Sequence, residues 1–294
     1  YWSDGLYTPP ADEAMVWDIR TVRDMGFNML RKHIKVECDR WYYHCDRLGM
    51  LVWQDMVNGG SAYKHWFVTY LATLMNWNHI SFSDDEKHAG LLSRLHPEGK
   101  DEFRREITET IAFLYNHPSI VVWVPFNEGW GQFDALAVCE QIRTLDSSRL
   151  VDHASGWFDQ KGGDILSLHY YFLKLKFKPE SKRAAALTEF GGYSLSIPGH
   201  SCCKKVYGYK KFNSTGTLTY GYIDLIRQTI LPAVKKGIGA TVYTQLSDIE
   251  EETNGIYTYD REICKIDPDT LRKWNRALKE AGECKTYADH TTDH

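Results

Sequence analysis

The chain has 294 residues, of which 43% are hydrophobic, 14% are aromatic and 25% are charged, and its formal net charge is -4. This apolar content is enough for a large core, and the length suits one large domain spanning residues 1–294. The small negative charge gives no reason to expect nucleic acid or an anionic membrane as partner. No stretch is long and apolar enough for a membrane-spanning helix.

Helical and extended patterns alternate along the chain. Helices are predicted at about 12–25, 39–48, 101–115, 133–145, 220–236 and 271–279, and the fifth is expected to be interrupted or bent near Pro232. Strands are predicted at 27–33, 50–54, 120–127, 149–154, 164–170, 184–189 and 239–246. Such alternation is typical of a parallel sheet covered by helices.

Two segments lack a regular pattern. The interval 57–100 is long for a connection, so it is expected either to form a lid or binding loop or to be a packed surface excursion. The loop 191–217 is rich in Gly, Pro and Cys and is predicted to be irregular. The polar tail after Gly282 is expected to fray.

The strand at 120–127 ends in a carboxylate. Residues 120–124 read Ile-Val-Val-Trp-Val, the pattern of a strand buried on both faces, and Asn127 and Glu128 follow directly. In a barrel of parallel strands the chemistry lies at the carboxyl ends of the strands. Apolar walls can raise the pKa of such a carboxyl group into the range that a general acid needs.

A second strand has the same form, because the apolar residues 184–187 lead to Thr188, Glu189, Phe190 and Gly191. Two carboxylates at two strand ends predict an acid and a nucleophile for glycoside cleavage. The seven cysteines include no Cys-x-x-Cys pair, so free thiols are expected. No cofactor is predicted, and no metal, since the histidines show no zinc spacing and the acidic run 250–252 is better explained as a solvated loop than as a cation site.

Four motifs together resemble glycoside hydrolase family 2, which includes β-galactosidases, β-glucuronidases and β-mannosidases. They are residues 26–33 (Gly-Phe-Asn-Met-Leu-Arg-Lys-His), 116–119 (Asn-His-Pro-Ser), 127–128 (Asn-Glu) and 188–191 (Thr-Glu-Phe-Gly). The resemblance covers only the catalytic barrel of that family and not the sandwich domains that normally precede it. It implies an α/β fold, a (β/α)8 TIM barrel, in which the strands at 120–127 and 184–189 are the fourth and the seventh. Seven strands are then one too few, so the first is expected to be missing, truncated or upstream.

The resemblance implies a retaining mechanism in which Glu128 is the general acid/base and Glu189 the nucleophile, with carboxyl groups about 5–5.5 Å apart. Asn127 would bond the sugar 2-hydroxyl, and Tyr170 would hold Glu189 ionised or be an ordinary tyrosine of the barrel rim. Further substrate contacts are expected from residues at predicted strand ends, namely Arg31, His33, Trp53, Asp55, Trp130, His169 and Gln245. Glu37 lies just beyond and could face the same site.

The sequence departs from the family pattern in ways that concern the substrate. No Asn-x-Lys, which grips the acid group in glucuronidases, occurs in the chain. A β-galactoside is therefore the leading prediction, with mannoside or glucuronide cleavage, or sugar binding without catalysis, as alternatives. A carbohydrate and upstream domains of the same polypeptide are the expected partners. The chain opens at Tyr1 without Met, and a periplasmic or secreted location is favoured over a cytoplasmic one.

Overall fold

A computed structural model describes residues 1–2, 5–62, 64, 66–78, 80–171 and 175–289, without the side chains of 68, 69, 76, 77 and 284–289. The chain forms two compact units. The central unit comprises Met29–His169 and Glu180–Thr188, and the terminal unit comprises Tyr1–Asn28, Tyr170–Pro179 and Glu189–His294. Among the described residues, no helix combines the length and the apolar composition that a membrane span requires.

The helices are α1 (Asp12–Asp24), α2 (Asp39–Leu48), α3 (Ala72–Trp77), α4 (Pro97–Leu114), α5 (Ala135–Leu145), α6 (Thr215–Leu225), α7 (Leu231–Lys235) and α8 (Pro268–Asp289). The strands are β1 (Met29–Lys32), β2 (Leu51–Asp55), β3 (Ile120–Val124), β4 (Leu150–Val151), β5 (Ile165–Tyr170), β6 (Ala184–Gly191), β7 (Tyr193–Ser194), β8 (Lys210–Lys211) and β9 (Ile238–Thr244). π-Helical turns occupy Phe67–Leu71 and Ile226–Ile230.

In the central unit, β1, β2, β3 and β4 form a parallel sheet in that order. Arg31 pairs with Trp53, and Asp55 pairs with Val124. This register aligns the carboxyl ends of the first three strands, so the side chains that follow them lie at one edge of the sheet. Helices α4 and α5 cover the sheet with apolar faces that include Phe103, Ile107, Val138 and Ile142.

The insertion 57–100 belongs to the central unit and packs on an apolar cluster of its own. Phe67, Ala72 and Leu92 are buried there together with Phe158. The rings of Phe67 and Phe158 are parallel, with centroids 6.0 Å apart. Burial of these side chains agrees with the packed excursion among the two predicted alternatives. Tyr63, which the insertion also contains, lies outside the described residues.

In the terminal unit, α8 closes the carboxyl end of α1. Arg272 donates from Nε to the carbonyl of Asp24 at 2.8 Å, and Asn275 donates from Nδ2 to that of Met25 at 2.8 Å. The end of β6 contacts β9, where the rings of Phe190 and Tyr243 meet edge to face at 5.5 Å. These contacts satisfy helix-end carbonyls that have no partner within their own helix.

All seven predicted strands are present, but the boundaries differ. The strand predicted to reach residue 127 ends at Val124, since Pro125 cannot donate to a ladder. The loop 191–217 contains the short parallel pair β7 and β8 as well as irregular chain. The helix predicted at 220–236 is divided by a π-helical turn at Ile226–Ile230, one turn before Pro232. The tail expected to fray after Gly282 continues α8 to Asp289.

Candidate active site

Arg31, on β1, joins three neighbouring elements of the central unit. Its guanidinium donates to both carboxylate oxygens of Asp55 at 3.0 and 2.8 Å, and both side chains are almost fully buried, at 3% and 2% exposed. Nη2 also donates to Oδ1 of Asn127 at 2.8 Å, and Nη1 to the carbonyl of Thr188 at 3.1 Å. A buried charge pair of this kind holds geometry, because removing either partner leaves an uncompensated charge. Arg31 and Asp55 thus support the strand ends; their contact with a sugar stays a prediction.

The Arg31 bond orients the amide of Asn127. Because a guanidinium only donates, the atom that faces Nη2 is the amide oxygen. The NH2 group of Asn127 then points elsewhere as a donor. This orientation suits the role predicted for Asn127, which requires a donor for a sugar hydroxyl.

Glu128 has an unusual backbone conformation. Its φ of +51° is in the left-handed region, which non-glycine residues rarely adopt, and Gly129 follows with a φ of +73°. The Glu128 N–H donates to the carbonyl of Ser155 at 2.9 Å, and Asn127 forms a parallel bridge with Ser155. Strained backbone of this kind concentrates at functional sites, where the surrounding structure holds it in place.

The carboxyl group of Glu128 meets a buried imidazole. Oε1 lies 2.8 Å from Nδ1 of His169, and the His169 side chain is 2% exposed against 27% for Glu128. The other ring nitrogen, Nε2, lies 3.1 Å from Oγ of Ser155. The carboxyl group of Glu128 therefore contacts a buried imidazole on one side and is partly exposed to solvent. Contact of His169 with a sugar stays a prediction.

Glu189, at the end of β6 in the terminal unit, receives a phenolic hydrogen bond. The donor is Tyr171, whose Oη donates to Oε2 of Glu189 and also lies 3.2 Å from Oγ1 of Thr244. Of the two alternatives for Tyr170, the first, a bond to Glu189, is made in the structure by the neighbouring Tyr171, and contact of Tyr170 with a sugar stays a prediction. Consecutive residues of an extended segment point in opposite directions, so a shift of one changes which tyrosine meets the carboxylate. A donor to the charged form of a carboxyl group favours its ionisation.

An aromatic stack supports Tyr171. Its ring lies on that of Tyr209 with centroids 3.9 Å apart and 19° between the planes. Gly192 makes room for the stack, since a Cβ there would lie 2.4 Å from the Tyr209 ring. Tyr209 lies in the loop 191–217, and the sequence offered no signal that this loop would return to the nucleophile candidate.

The remaining predicted contacts fall into different environments. His33 is exposed, whereas Trp53 is 6% exposed and packs among the strands. Trp130 is half-buried at the insertion, where its carbonyl accepts from Nδ2 of Asn58 at 2.9 Å. Trp53 exposes little surface, and for all three residues the predicted contact with a sugar stays a prediction.

Gln245 and the acidic run are tied together in the terminal unit. Nε2 of Gln245 donates to Glu252 at 3.0 Å and to Oδ1 of Asn254 at 2.7 Å. Glu251 accepts from Lys205 at 2.9 Å, and Glu250 from Tyr1 at 3.1 Å. Each acid of the run thus has its own hydrogen-bond partner. Both amide protons of Gln245 serve the loop, and its contact with a sugar stays a prediction.

Glu37 and Asp152 are two buried carboxyl groups of the central unit. Burial raises the pKa of Glu37, but Lys32 and Lys35 outweigh it and hold that pKa below its ordinary value. Burial also raises the pKa of Asp152, to about 6, although the charge of Arg31 opposes it. Glu37 is 3% exposed and serves its two lysines.

Among the described residues of the terminal unit, one group could hold a cation. His200, Asp260 and Glu262 each offer one ligand atom, and these atoms lie within 4.8 Å of one another. His200 and Asp260 already share a hydrogen bond of 2.8 Å between Nδ1 and Oδ2. A hydrogen-bonded pair of this kind is common without a metal, and the cluster lies outside every motif singled out in the sequence.

The chain is similar to known glycosidases. The β-galactosidase of Leuconostoc mesenteroides is 25% identical over 291 residues, covering 94% of this chain and 25% of that protein. A β-galactosidase of Klebsiella pneumoniae is 28% identical over 156 residues, covering 53% of this chain and 13% of that protein. The chain thus spans a quarter or less of the length of these relatives.

Solved structures show the same fold. The β-galacturonidase of Eisenbergiella tayi bound to galacturonate has a TM-score of 0.60 at 18% identity, with 90% of this chain and 47% of that one covered. The β-D-glucuronidase of Dictyoglomus thermophilum has a TM-score of 0.62 at 13% identity, with the same coverage of 90% and 47%. At these identities the likeness concerns the fold, and it confirms the predicted (β/α)8 class.

Residues 11–231 match the family model described as glycosyl hydrolases family 2, TIM barrel domain. This match covers most of the chain and includes the Asn-Glu and Thr-Glu-Phe-Gly motifs. The chain therefore belongs to glycosyl hydrolase family 2, as the motifs of its sequence predict.

Proposed function

We propose that the protein hydrolyses terminal β-linked sugars with retention of configuration, with Glu128 as general acid/base and Glu189 as nucleophile. The proposal depends on the hydrogen-bond partners of these two carboxyl groups, which differ in the way that the two roles require. Glu128 faces an imidazole and solvent, as a group that exchanges protons requires. Glu189 accepts from a phenol, which favours the charged form that a nucleophile requires.

The reaction proceeds in two steps. Glu189 attacks the anomeric carbon while Glu128 transfers its proton to the departing oxygen, so the glycosidic bond breaks and a glycosyl ester forms. Glu128 then takes a proton from water, whose oxygen attacks the same carbon and releases Glu189. The amide of Asn127, oriented by Arg31, donates to the sugar 2-hydroxyl as charge develops on the ring.

We propose a β-galactoside as the substrate. The relatives cited above are β-galactosidases, and the sequence contains no Asn-x-Lys, the element expected to bind the acid group of a glucuronide. The uronidases that share the fold are under 20% identical, so their substrates do not weigh against this choice.

The test measures release of nitrophenol from β-galactoside, β-mannoside and β-glucuronide by the full-length protein. Cleavage of the galactoside at the highest kcat/KM is expected, with the β-anomer as the first product by proton NMR. Preference for another of these sugars would refute the substrate. First release of the α-anomer would contradict the retaining mechanism, and cleavage of none would refute the proposed function.

Two variants separate the roles. Glu189→Gln removes the nucleophile and is expected to abolish turnover of every substrate. Glu128→Gln is expected to slow substrates with poor leaving groups by about 10²–10⁴-fold, the usual contribution of general acid catalysis, and to affect dinitrophenyl substrates far less in the first step. Glu109→Gln, at a surface glutamate that is 69% exposed, is the matched control and should leave the rates unchanged. Equal losses on all leaving groups in Glu128→Gln would argue against its role as the acid.

A further inference from the structure

The imidazole of His169 contacts Glu128 on one side and a chain of hydroxyl groups on the other. Nδ1 lies 2.8 Å from Oε1 of Glu128, and Nε2 lies 3.1 Å from Oγ of Ser155. Only 2% of the His169 side chain is exposed, so water does not compete freely for either nitrogen. Which nitrogen carries a proton therefore depends on the protein groups that face them.

The hydroxyl groups of Ser155 and Thr188 donate their hydrogen bonds in one direction, away from His169. Thr188 donates from Oγ1 to the carbonyl of Leu168 at 3.4 Å, and a carbonyl oxygen can only accept. Ser155 donates from Oγ to Oγ1 of Thr188 at 3.1 Å. A serine hydroxyl has a single proton, so Ser155 meets the imidazole with a lone pair. Nε2 of His169 is then the donor, and it carries a hydrogen.

Ser167 reinforces this direction from the same side. Its Oγ lies 2.5 Å from Oγ1 of Thr188 and, because the hydrogen of Thr188 goes to the carbonyl of Leu168, Ser167 is the donor of this bond. The backbone N–H of Gly156 donates to Oγ of Ser167 at 3.3 Å, so Ser167 is itself an acceptor at its other face. Both Ser167 and Thr188 therefore leave Ser155 an acceptor toward the ring.

The backbone at Ser155 and Gly156 contacts Glu128 and leaves room for the ring of His169. The carbonyl of Ser155 accepts from the N–H of Glu128 at 2.9 Å, so the residue that meets the ring also holds the acid's own backbone. At Gly156, a Cβ would lie 2.6 Å from the His169 ring, and φ is +83°. A glycine is needed there for the ring to reach its position.

We infer that Glu128 and His169 hold one proton between Oε1 and Nδ1, while Ser155 keeps the hydrogen of the imidazole on Nε2. The inference rests on the proposed function for its catalytic consequence but not for the position of the proton. The pair exists as a carboxylic acid beside a neutral ring or as a carboxylate beside an imidazolium. His169 acts through Glu128 and is a positioning residue.

The shared proton accounts for both steps of the reaction. In the first step it moves to the departing oxygen, and the pair is left with two lone pairs facing each other across 2.8 Å. That arrangement leaves two hydrogen-bond acceptors facing each other without a hydrogen, and return of a proton restores the hydrogen bond. In the second step it takes that proton from the attacking water, which restores the starting state without any other reactant.

The first test is spectroscopic and needs no substrate. The full-length protein is labelled with ¹⁵N-histidine, and the His169 resonances are assigned by their loss in His169→Asn. We expect Nε2 to be protonated and Nδ1 to have the intermediate shift of a nitrogen that shares a proton. A ring protonated on Nδ1 with a bare Nε2 would overturn the inference, even in a fully active enzyme.

The second test is kinetic. Asn can place a polar atom where Nδ1 stands but cannot exchange a proton, and Phe matches the ring shape without polar atoms. For both His169→Asn and His169→Phe we expect kcat/KM to fall about 10- to 100-fold on phenyl glycosides and little on dinitrophenyl glycosides, because only the former need proton donation. Azide should accelerate turnover of dinitrophenyl glycosides, since it needs no base.

A matched control isolates the pair. His88, whose Nδ1 lies 3.0 Å from Oδ1 of Asp85, is a partly exposed histidine beside a carboxylate, and His88→Asn should leave every rate unchanged. A purely structural role of His169 would lower both classes of substrate alike and would leave azide without effect, which would overturn the inference. Failure of wild type to cleave any glycoside would instead refute the proposed function, and the NMR result would stand by itself.

Discussion

Asp152 allows a test of the electrostatics of the central unit. It follows β4 directly, donates its N–H to the carbonyl of Trp123 at 2.9 Å, and is 0% exposed. Burial raises its pKa from 3.8 to about 6, and the charges of Arg31 and His153 only partly oppose this. The perturbation is Asp152→Asn, which keeps the shape of the side chain but removes the charge at every pH.

The direction and the size of the pH effect on stability follow from this pKa shift. The folded pKa lies above the unfolded value, so between about pH 4 and pH 6 the folded state binds the extra proton. The stability of the wild type then falls as pH rises through this window. A rise of about two units at 1.36 kcal/mol per unit corresponds to about 3 kcal/mol. The stability of Asp152→Asn does not fall in this way, because the amide does not ionise.

The assay compares the two proteins by urea unfolding at pH 4 and pH 7. The free energy of unfolding of Asp152→Asn minus that of wild type should grow by about 2 kcal/mol between these values, less than the full shift because the unfolded carboxyl is already partly ionised at pH 4. A difference that is the same at both values would refute the reasoning, because it would show that Asp152 titrates alike in the folded and unfolded chain.

Asp146 supplies the control of opposite sign. Burial raises its pKa, but hydrogen bonds from Ser148, Arg149 and Trp123 lower it to about 2. The charged form of Asp146 therefore stabilises the folded state, and this contribution is lost only as pH falls from about 4 to about 2. Asp146→Asn should destabilise the protein by a similar amount at pH 5 and at pH 7. A pH-dependent difference across that interval would contradict the assignment.

Two further predictions concern hydrogen bonds and packing at the site. Tyr171→Phe removes the donor to Glu189 and should lower kcat about 10-fold or more with little change in KM, whereas Tyr170→Phe should have little effect. Steady-state kinetics of both variants on aryl glycosides measure this difference. Equal losses in the two variants would contradict the assignment of the bond to Tyr171. Gly156→Ala places a methyl group 2.6 Å from the His169 ring and should lower both activity and thermal stability, by about 1–3 kcal/mol for overpacking with a strained backbone, as calorimetry can measure; an unchanged melting temperature would show that the ring has room to move.

Much of the local structure could be predicted from the residues alone. The run at 120–124 is apolar and rich in β-branched residues, the composition of a strand buried on both faces, and the structure has β3 there. Helix periodicity identified α4 within a few residues of its start, although the structure begins it at Pro97. The end of β3 at Val124 follows from the missing N–H of Pro125.

The partners of the site residues could not be predicted in the same way. Tyr170 and Tyr171 are neighbours in the chain, and only the direction of each side chain shows which one reaches Glu189. Ser155 carried no motif, yet it contacts both the backbone of Glu128 and the ring of His169. The buried ion pair of Arg31 and Asp55 is likewise a tertiary contact that no motif announced, and the predicted contact of these two residues with a sugar stays a prediction.

The sequence by itself therefore determined the family and the class of fold, because both depend on short motifs and on periodic burial, and it supplied the prediction of the two catalytic carboxylates. Only the tertiary structure decided which groups face those carboxylates. A hydrogen bond depends on angles and on distances of a few tenths of an ångström between atoms far apart in sequence, such as Glu128 and His169, and no linear pattern encodes those distances.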